Sequence, residues 1–206
     1  MTTLYKLTSA NLTTFRGCLW IPGEWKSAPG KGELCTSGWI HAYESPLVGI
    51  FMDLIHGNFG STGRMWECEG EGMVLRDHDL KIGVERLRLI SELPLPVIDT
   101  ERRVTIAILC AKRVCVEPSW IKWADDWLSG RNRTANAAAA WATAAWAIWA
   151  TDAAAAAARA AADAADVVAN VAAAAQAAAN AAAAAAAMVG GDSFLTEIIN
   201  QAIKGE

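Results

Sequence analysis

RMWECEGE, residues 64–71, is the stretch on which the fold turns. Trp66, Cys68 and Gly70 point one way in its alternation, and Glu67, Glu69 and Glu71 point the other. A period of two with one apolar and one charged face predicts a half-buried antiparallel strand. Residues 80–90 repeat the pattern with a slip: Leu80, Ile82 and Val84 share a face, then Leu87 and Leu89 take odd positions. Such a slip predicts a β-bulge around Glu85-Arg86. If the two strands pair, Arg86 and Arg88 lie opposite the glutamates and offset their mutual repulsion across a solvated sheet face.

Working outward, TLYKLT opens the chain as a strand, and Pro22-Gly23 and Ala28-Pro29-Gly30 mark turns after it. Glu33 to Tyr43 reads as extended. Ser45 and Pro46 are placed as N-cap and first residue of a helix running to about His56. The glycine-rich turn Gly57–Gly63 follows, with Arg64 beside it. It could offer backbone N–H groups to an anion, but it lacks the G-K-[ST] of a P-loop and sits in no βαβ unit.

Two helices come next. Thr100 can cap one through about Val114, with Val104, Ala107, Ile108, Ala111 and Val114/Cys115 as its apolar stripe. The second spans Pro118 to Leu128 and sets Trp120, Trp123 and Trp127 on one face, with Gly130 as its stop. From Thr134 to Val189 there is no Gly or Pro and alanine dominates, so helix is the default. Unbroken, it would reach roughly 80 Å at about 1.5 Å per residue. The alternative is a hairpin, with Thr151 or Asp152 capping the second arm. Gly190-Gly191 ends the run, and Asp192 or Ser193 caps a last short helix, Phe194 to Ile203. The expected fold class is thus α+β: a small antiparallel-sheet domain with flanking helices over 1–133, an alanine-rich helical tail over 134–189, and a short helix within 192–206.

Charge and cysteine content narrow the function classes. The chain carries 18 Lys+Arg against 22 Asp+Glu, with no basic block of the kind that grips phosphates, so direct nucleic-acid binding is not expected. Cys18, Cys35, Cys68, Cys110 and Cys115 are odd in number and scattered, which fits reduced thiols in a cytosol. Residues 167–191 are uncharged, but Asn170, Gln176 and Asn180 interrupt them and alanine inserts poorly, so no membrane span is expected.

At helical spacing, Asp152, Arg159, Asp163, Asp166 and Asn170 form one polar stripe. Ala161 and Ala172 lie roughly opposite it, on an alanine face expected to bundle, in a homo-oligomer or back onto the front domain. Trp141, Trp146 and Trp149 are expected to pack against Trp120, Trp123 and Trp127 and lock the tail to the domain, with partner binding as the alternative.

Chemistry is concentrated in Cys35–Glu44. In an extended strand Trp39, His41 and Tyr43 share a face and could floor a small-molecule pocket, with Glu44 and Arg64 adding charge. A sheet histidine hydrogen-bonded near the core explains the same residues more simply. The histidines are too scattered for zinc, and no metal or other cofactor is expected.

Several segments together resemble one family. They are LYKLT, the E-L-C-x-x-G-W-I-H-A-Y-x-x-P-L stretch (Glu33 to Leu47), R-x-W-E-C-E-G (Arg64 to Gly70), I-S-E-L-P-L-P (Ile90 to Pro96) and W-L-S-G-R-N-R-T-A-N-A-A. They are similar to phage and prophage proteins that join an N-terminal domain of unknown function to an alanine-rich repetitive tail. The resemblance covers most of residues 3–140, and the tail matches in composition. It implies a phage-encoded accessory protein in the host bacterial cytoplasm. The expectation is a binding protein rather than an enzyme, an oligomeric inhibitor of a host defence complex such as CRISPR–Cas. A nucleotide-binding or transferase module centred on His41 and Tyr43, and a structural phage component, are the alternatives.

Overall fold

The structure is a computed structural model that describes residues 2–134, 157, 160–164, 171–189 and 193–204. The chain divides into two compact units, Met1–Val97 and Ile98–Glu206. The division falls ahead of the two helices that the sequence reading had grouped with the sheet. The fold class is α+β, with an antiparallel sheet.

In the first unit β1 (Thr2–Thr8) pairs with β6 (Arg64–Asp77), which pairs with β7 (Lys81–Leu93). β7 then pairs with β4 (Lys26–Ser27) and β5 (Ile40–Ala42), all antiparallel. Just past β5, Tyr43 and Tyr5 exchange two backbone hydrogen bonds of 2.8 Å. That bridge returns the sheet to β1 and closes the circuit β1–β6–β7–β5. Closure leaves an interior and removes exposed strand edges along that stretch. The interior holds Leu4, Trp20, Ala42, Trp66, Cys68, Ile82, Val84, Leu87 and Leu89. A second hairpin, β2 (Thr13–Thr14) with β3 (Cys18–Leu19), leads into Trp20.

The strand register explains the slip in the hydrophobic pattern. Glu71 faces Arg86 and Val74 faces Val84, so Gly72 and Met73 together oppose Glu85. The extra residue therefore belongs to β6, and Gly72 supplies the positive φ of 83° that the bulge needs. A second shift, between Glu67 and Cys68, leaves Ile90 of β7 unpaired and exposed. Arg86 and Arg88 do pair with Glu71 and Glu69, at 2.9 and 2.5 Å. Trp25 lies under both guanidinium groups, at 4.7 and 4.8 Å.

α1 (Pro46–His56) starts at Ser45, whose side chain accepts from the Val48 N–H. It packs on β1 with Val48, Ile50, Phe51 and Met52 buried. A Cβ on Gly49 would stand 3.0 Å from the Tyr43 ring, so glycine is what permits this approach. The stretch Glu33–Tyr43 is extended only at β5. Residues 33–38 form a turn, in which Thr36 bonds back to the Glu33 carbonyl through both its N–H and its hydroxyl.

In the second unit α2 (Thr100–Lys112) is the hub, packed against α3 (Pro118–Leu128), α4 (Val171–Val189) and α5 (Phe194–Lys204). Its cap is Asp99 rather than Thr100; the Asp99 carboxylate accepts the Arg102 N–H at 2.8 Å. Ile106 and Cys110 are buried along with Val104, Ala107, Ile108 and Ala111, a wider face than the single stripe expected. A helix covered on several sides needs more than one apolar face. Ala174, Ala178, Ala181, Ala182 and Ala185 of α4 are fully buried, and methyl side chains let helix axes approach closely. Phe194, Leu195, Ile198 and Ile199 of α5 complete this core.

Ala161 is also fully buried within the single chain. Burial within one chain fits the alternative in which the alanine face packs inside the protein. Asp163 of the polar stripe is half-buried. Trp141, Trp146, Trp149, Asp152, Arg159, Asp166, Asn170 and the side chain of Ala172 lie outside the described residues. No described helix is long and apolar enough to cross a membrane.

Candidate functional site

β5 alternates, so Ala42 turns into the core while Trp39, His41 and Tyr43 face outward, opposite the Gly83 side of β7. They do share a face, but it is covered. A Cβ on Gly83 would meet Leu34 at 2.4 Å and Trp39 at 3.0 Å, so the 33–39 segment lies directly on β7. Trp39 and Tyr43 are each 8% exposed, and the Trp39 indole donates to the Gly32 carbonyl at 2.9 Å. The open floor anticipated for a small-molecule pocket is occupied by the chain itself.

The polar groups here are spoken for. His41 Nε2 contacts the Leu34 carbonyl, so that nitrogen carries the hydrogen and donates. Desolvation, partly opposed by that bond and reinforced by Lys81 and Lys6, lowers the His41 pKa. Tyr43 Oη lies 3.1 Å from His56 Nδ1, with the rings stacked 5.9 Å apart. Burial pushes the Tyr43 hydroxyl up and the His56 imidazole down to about 4, the latter helped by Lys81. Tyr43 is thus protonated and His56 neutral, and the hydroxyl donates to Nδ1. His56 is therefore committed through Nδ1 to the Tyr43 hydroxyl, and His41 through Nε2 to the Leu34 carbonyl.

The remaining expected site residues are drawn elsewhere. Glu44 pairs with Arg76 at 2.8 Å, and Arg64 pairs in a forked arrangement with Glu92. The glycine-rich turn is an anion site already filled, because Asp53 accepts the Phe59 and Gly60 N–H groups at 3.2 and 2.9 Å. Asp53 is 3% exposed and belongs to α1, so the carboxylate is a permanent part of the turn. Trp120, Trp123 and Trp127 are core residues of the second unit, with Trp120 and Trp123 tilted at 5.7 Å.

Sequence reading missed three groups that folding brings to this region. Lys6, on β1, is 7% exposed, donates to the His41 carbonyl at 2.5 Å and lies 4.9 Å from the Trp20 ring centre. Desolvation lowers its pKa to about 8. Lys81, at the start of β7, donates to Cys35 Sγ at 3.1 Å. His56 arrives from the end of α1. No spacing could reveal these contacts, since Lys6 and His41 are 35 residues apart and Cys35 and Lys81 are 46 apart. The one available signal for Lys6 was a lysine at an inward position of LYKLT.

A cavity of about 280 Å³ opens between the start of β1, the β6 bulge and β7. Leu4, Ile82 and Val84 form its floor, and Thr2, Glu71 and Arg76 its rim. It lies on the interior face of the sheet, away from His41 and Tyr43. Among the described residues no group of three or more His, Cys, Asp or Glu side chains is arranged to hold a metal ion.

No protein-family model matches the chain, and no curated protein or solved structure shows significant similarity to it.

Proposed function

We propose that the chain is a phage- or prophage-encoded accessory protein that acts by binding a host protein complex. Its target is a bacterial antiviral defence assembly such as a CRISPR–Cas effector, met in the host cytoplasm. The observation that supports binding is the β2–β3 hairpin. Phe15 is 80% exposed at its tip, with Leu19 at 53% and Ile21 at 48% beside it. The hairpin is held rigidly: Ser9 and Thr13 hydroxyls meet at 2.6 Å, and the Trp20 indole donates to Thr14 at 3.0 Å. Leu12 and Arg16 adopt positive φ of 59° and 58° to shape it, a strained backbone spent on presenting an apolar tip. A rigid exposed aromatic is the usual anchor of a protein interface, and Arg16 stacked 5.1 Å from Phe15 favours an acidic rim on the partner.

The test is affinity capture of the tagged full-length chain from phage-infected cells, alongside a plating assay against a defence-positive host. Phe15→Asp with Leu19→Asp should abolish both capture of a defined complex and protection of the phage, with the melting temperature retained. Protection undiminished in that variant would remove the hairpin from the mechanism. A second reading, a small-molecule module, is favoured by the cavity over Leu4, Ile82 and Val84 rather than by His41 and Tyr43. A small molecule co-purifying with the wild type would support it.

A further inference from the structure

Lys81 is 9% exposed, and among the described residues its ammonium has one hydrogen-bonding partner, the Cys35 sulfur at 3.1 Å. A buried cation is normally met by a carboxylate. Here it is aimed at a thiol, and that thiol belongs to an exposed residue. The turn carrying Cys35 is fixed. Gly30 donates to the Gly38 carbonyl at 2.8 Å, and a Cβ on Gly38 would fall 1.8 Å from the Lys31 carbonyl oxygen. The contact is thus built from both sides: β7 holds the amine under the surface, and a tight turn holds the sulfur above it.

We propose that Cys35 and Lys81 form a redox modification site, in which a peroxide oxidises Cys35 and Lys81 captures the product in a sulfur–nitrogen bond. In the first step the Cys35 sulfur attacks a peroxide oxygen. The O–O bond breaks, an S–O bond forms, and the thiol becomes a sulfenic acid while the peroxide is reduced to water or an alcohol. The Lys81 ammonium can donate to the departing oxygen. In the second step Lys81 gives one proton to solvent and its amine attacks the sulfur. The S–O bond breaks, the oxygen leaves as water with a proton from the nitrogen, and an S–N bond remains. A dithiol reverses this by reducing the sulfur and releasing the amine. The product staples the 33–38 turn to β7 across Gly83, where Leu34 and Trp39 already lie.

Cys18 provides an internal comparison. It is the other exposed thiol, and no amine is hydrogen-bonded to it among the described residues. The experiment treats the reduced full-length chain with hydrogen peroxide and maps its peptides by mass spectrometry. Cys35 should oxidise several-fold faster than Cys18. A cross-linked peptide joining residues 35 and 81, two hydrogens lighter than its parts, should appear and be reversed by dithiothreitol. Lys81→Arg should keep the oxidation of Cys35 and lose the cross-link. The proposal is overturned if Cys35 reacts no faster than Cys18. It is equally overturned if Cys35 oxidation ends in sulfinic acid or an intermolecular disulfide without the Cys35–Lys81 link. Both readouts come from the wild-type chain, so neither depends on a variant folding.

Discussion

Lys6→Met removes a charge from the interior of the closed sheet, and its effect should depend on pH in a way that no surface lysine would show. In the folded chain burial holds the Lys6 pKa near 8, against 10.5 for the ordinary group. Because the folded value is depressed, the unfolded chain binds more protons between those two pH values. Stability of the wild type therefore rises through that window, and the penalty is present in full below about pH 8. With about 1.4 kcal/mol per pKa unit, the penalty relieved between pH 7 and pH 10 is about 2.5 kcal/mol. Methionine fills a similar volume and does not titrate. It forfeits the bond to the His41 carbonyl and the contact with the Trp20 ring, together worth about 2 kcal/mol. The part of those losses that depends on the ammonium charge is already contained in the folded pKa near 8, and the other titrating groups are common to both proteins, so the pH dependence of the difference reports Lys6. Urea unfolding of both proteins at pH 7 and pH 10 should show the variant's relative stability falling by roughly 2–3 kcal/mol over that range. A difference that stays flat with pH would falsify the placement of Lys6 as a desolvated amine.

Three further outcomes test other parts of the structure. Ala161→Glu places a charge where the side chain is fully buried within one chain, so it should cost several kcal/mol in urea unfolding with the light-scattering mass unchanged until unfolding; a halved mass at wild-type stability would put that face between copies instead. Gly83→Ala should destabilise by about 1–3 kcal/mol, because its methyl would overlap Leu34 and press on Trp39; a neutral substitution would mean the 33–39 segment does not lie on β7. His56, neutral in the folded chain with a pKa near 4 against 6.5 ordinarily, should make stability fall as pH drops from 6.5 towards 4, and His56→Gln should flatten part of that slope in denaturation curves.

The legible parts of this chain were those governed by local spacing. The alternation of Trp66, Cys68 and Gly70 marks a strand whoever its neighbours are, and the Arg86 and Arg88 pairs follow once that strand is paired with β7. Ser45-Pro46 marks a helix start by chemistry that acts within one turn. The bulge was visible as a slip near Glu85, yet the extra residue sits across the ladder at Gly72-Met73, because a slip in one strand does not say which strand is longer. The extended reading of Glu33–Tyr43 failed where Thr36 and Gly38 close a turn by side-chain hydrogen bonds, a competition that periodicity does not register.

The candidate site shows the same division. His41 and Tyr43 were identifiable as chemistry-bearing residues on one face, but their partners Leu34, His56, Lys6 and Lys81 come from other elements. Asp53 closes the glycine-rich turn from α1, so an apparent anion site carries its own anion.

By itself, then, the sequence determined the α+β class, the central strands and the start of α1, because propensity and period are properties of a few neighbouring residues. Tertiary structure decided that β1 and β5 meet through Tyr5 and Tyr43, that Lys6 faces inward among tryptophans, and that Ala161 is buried by its own chain. Those outcomes depend on which surfaces are removed from water by segments distant in sequence, and no local pattern encodes that choice.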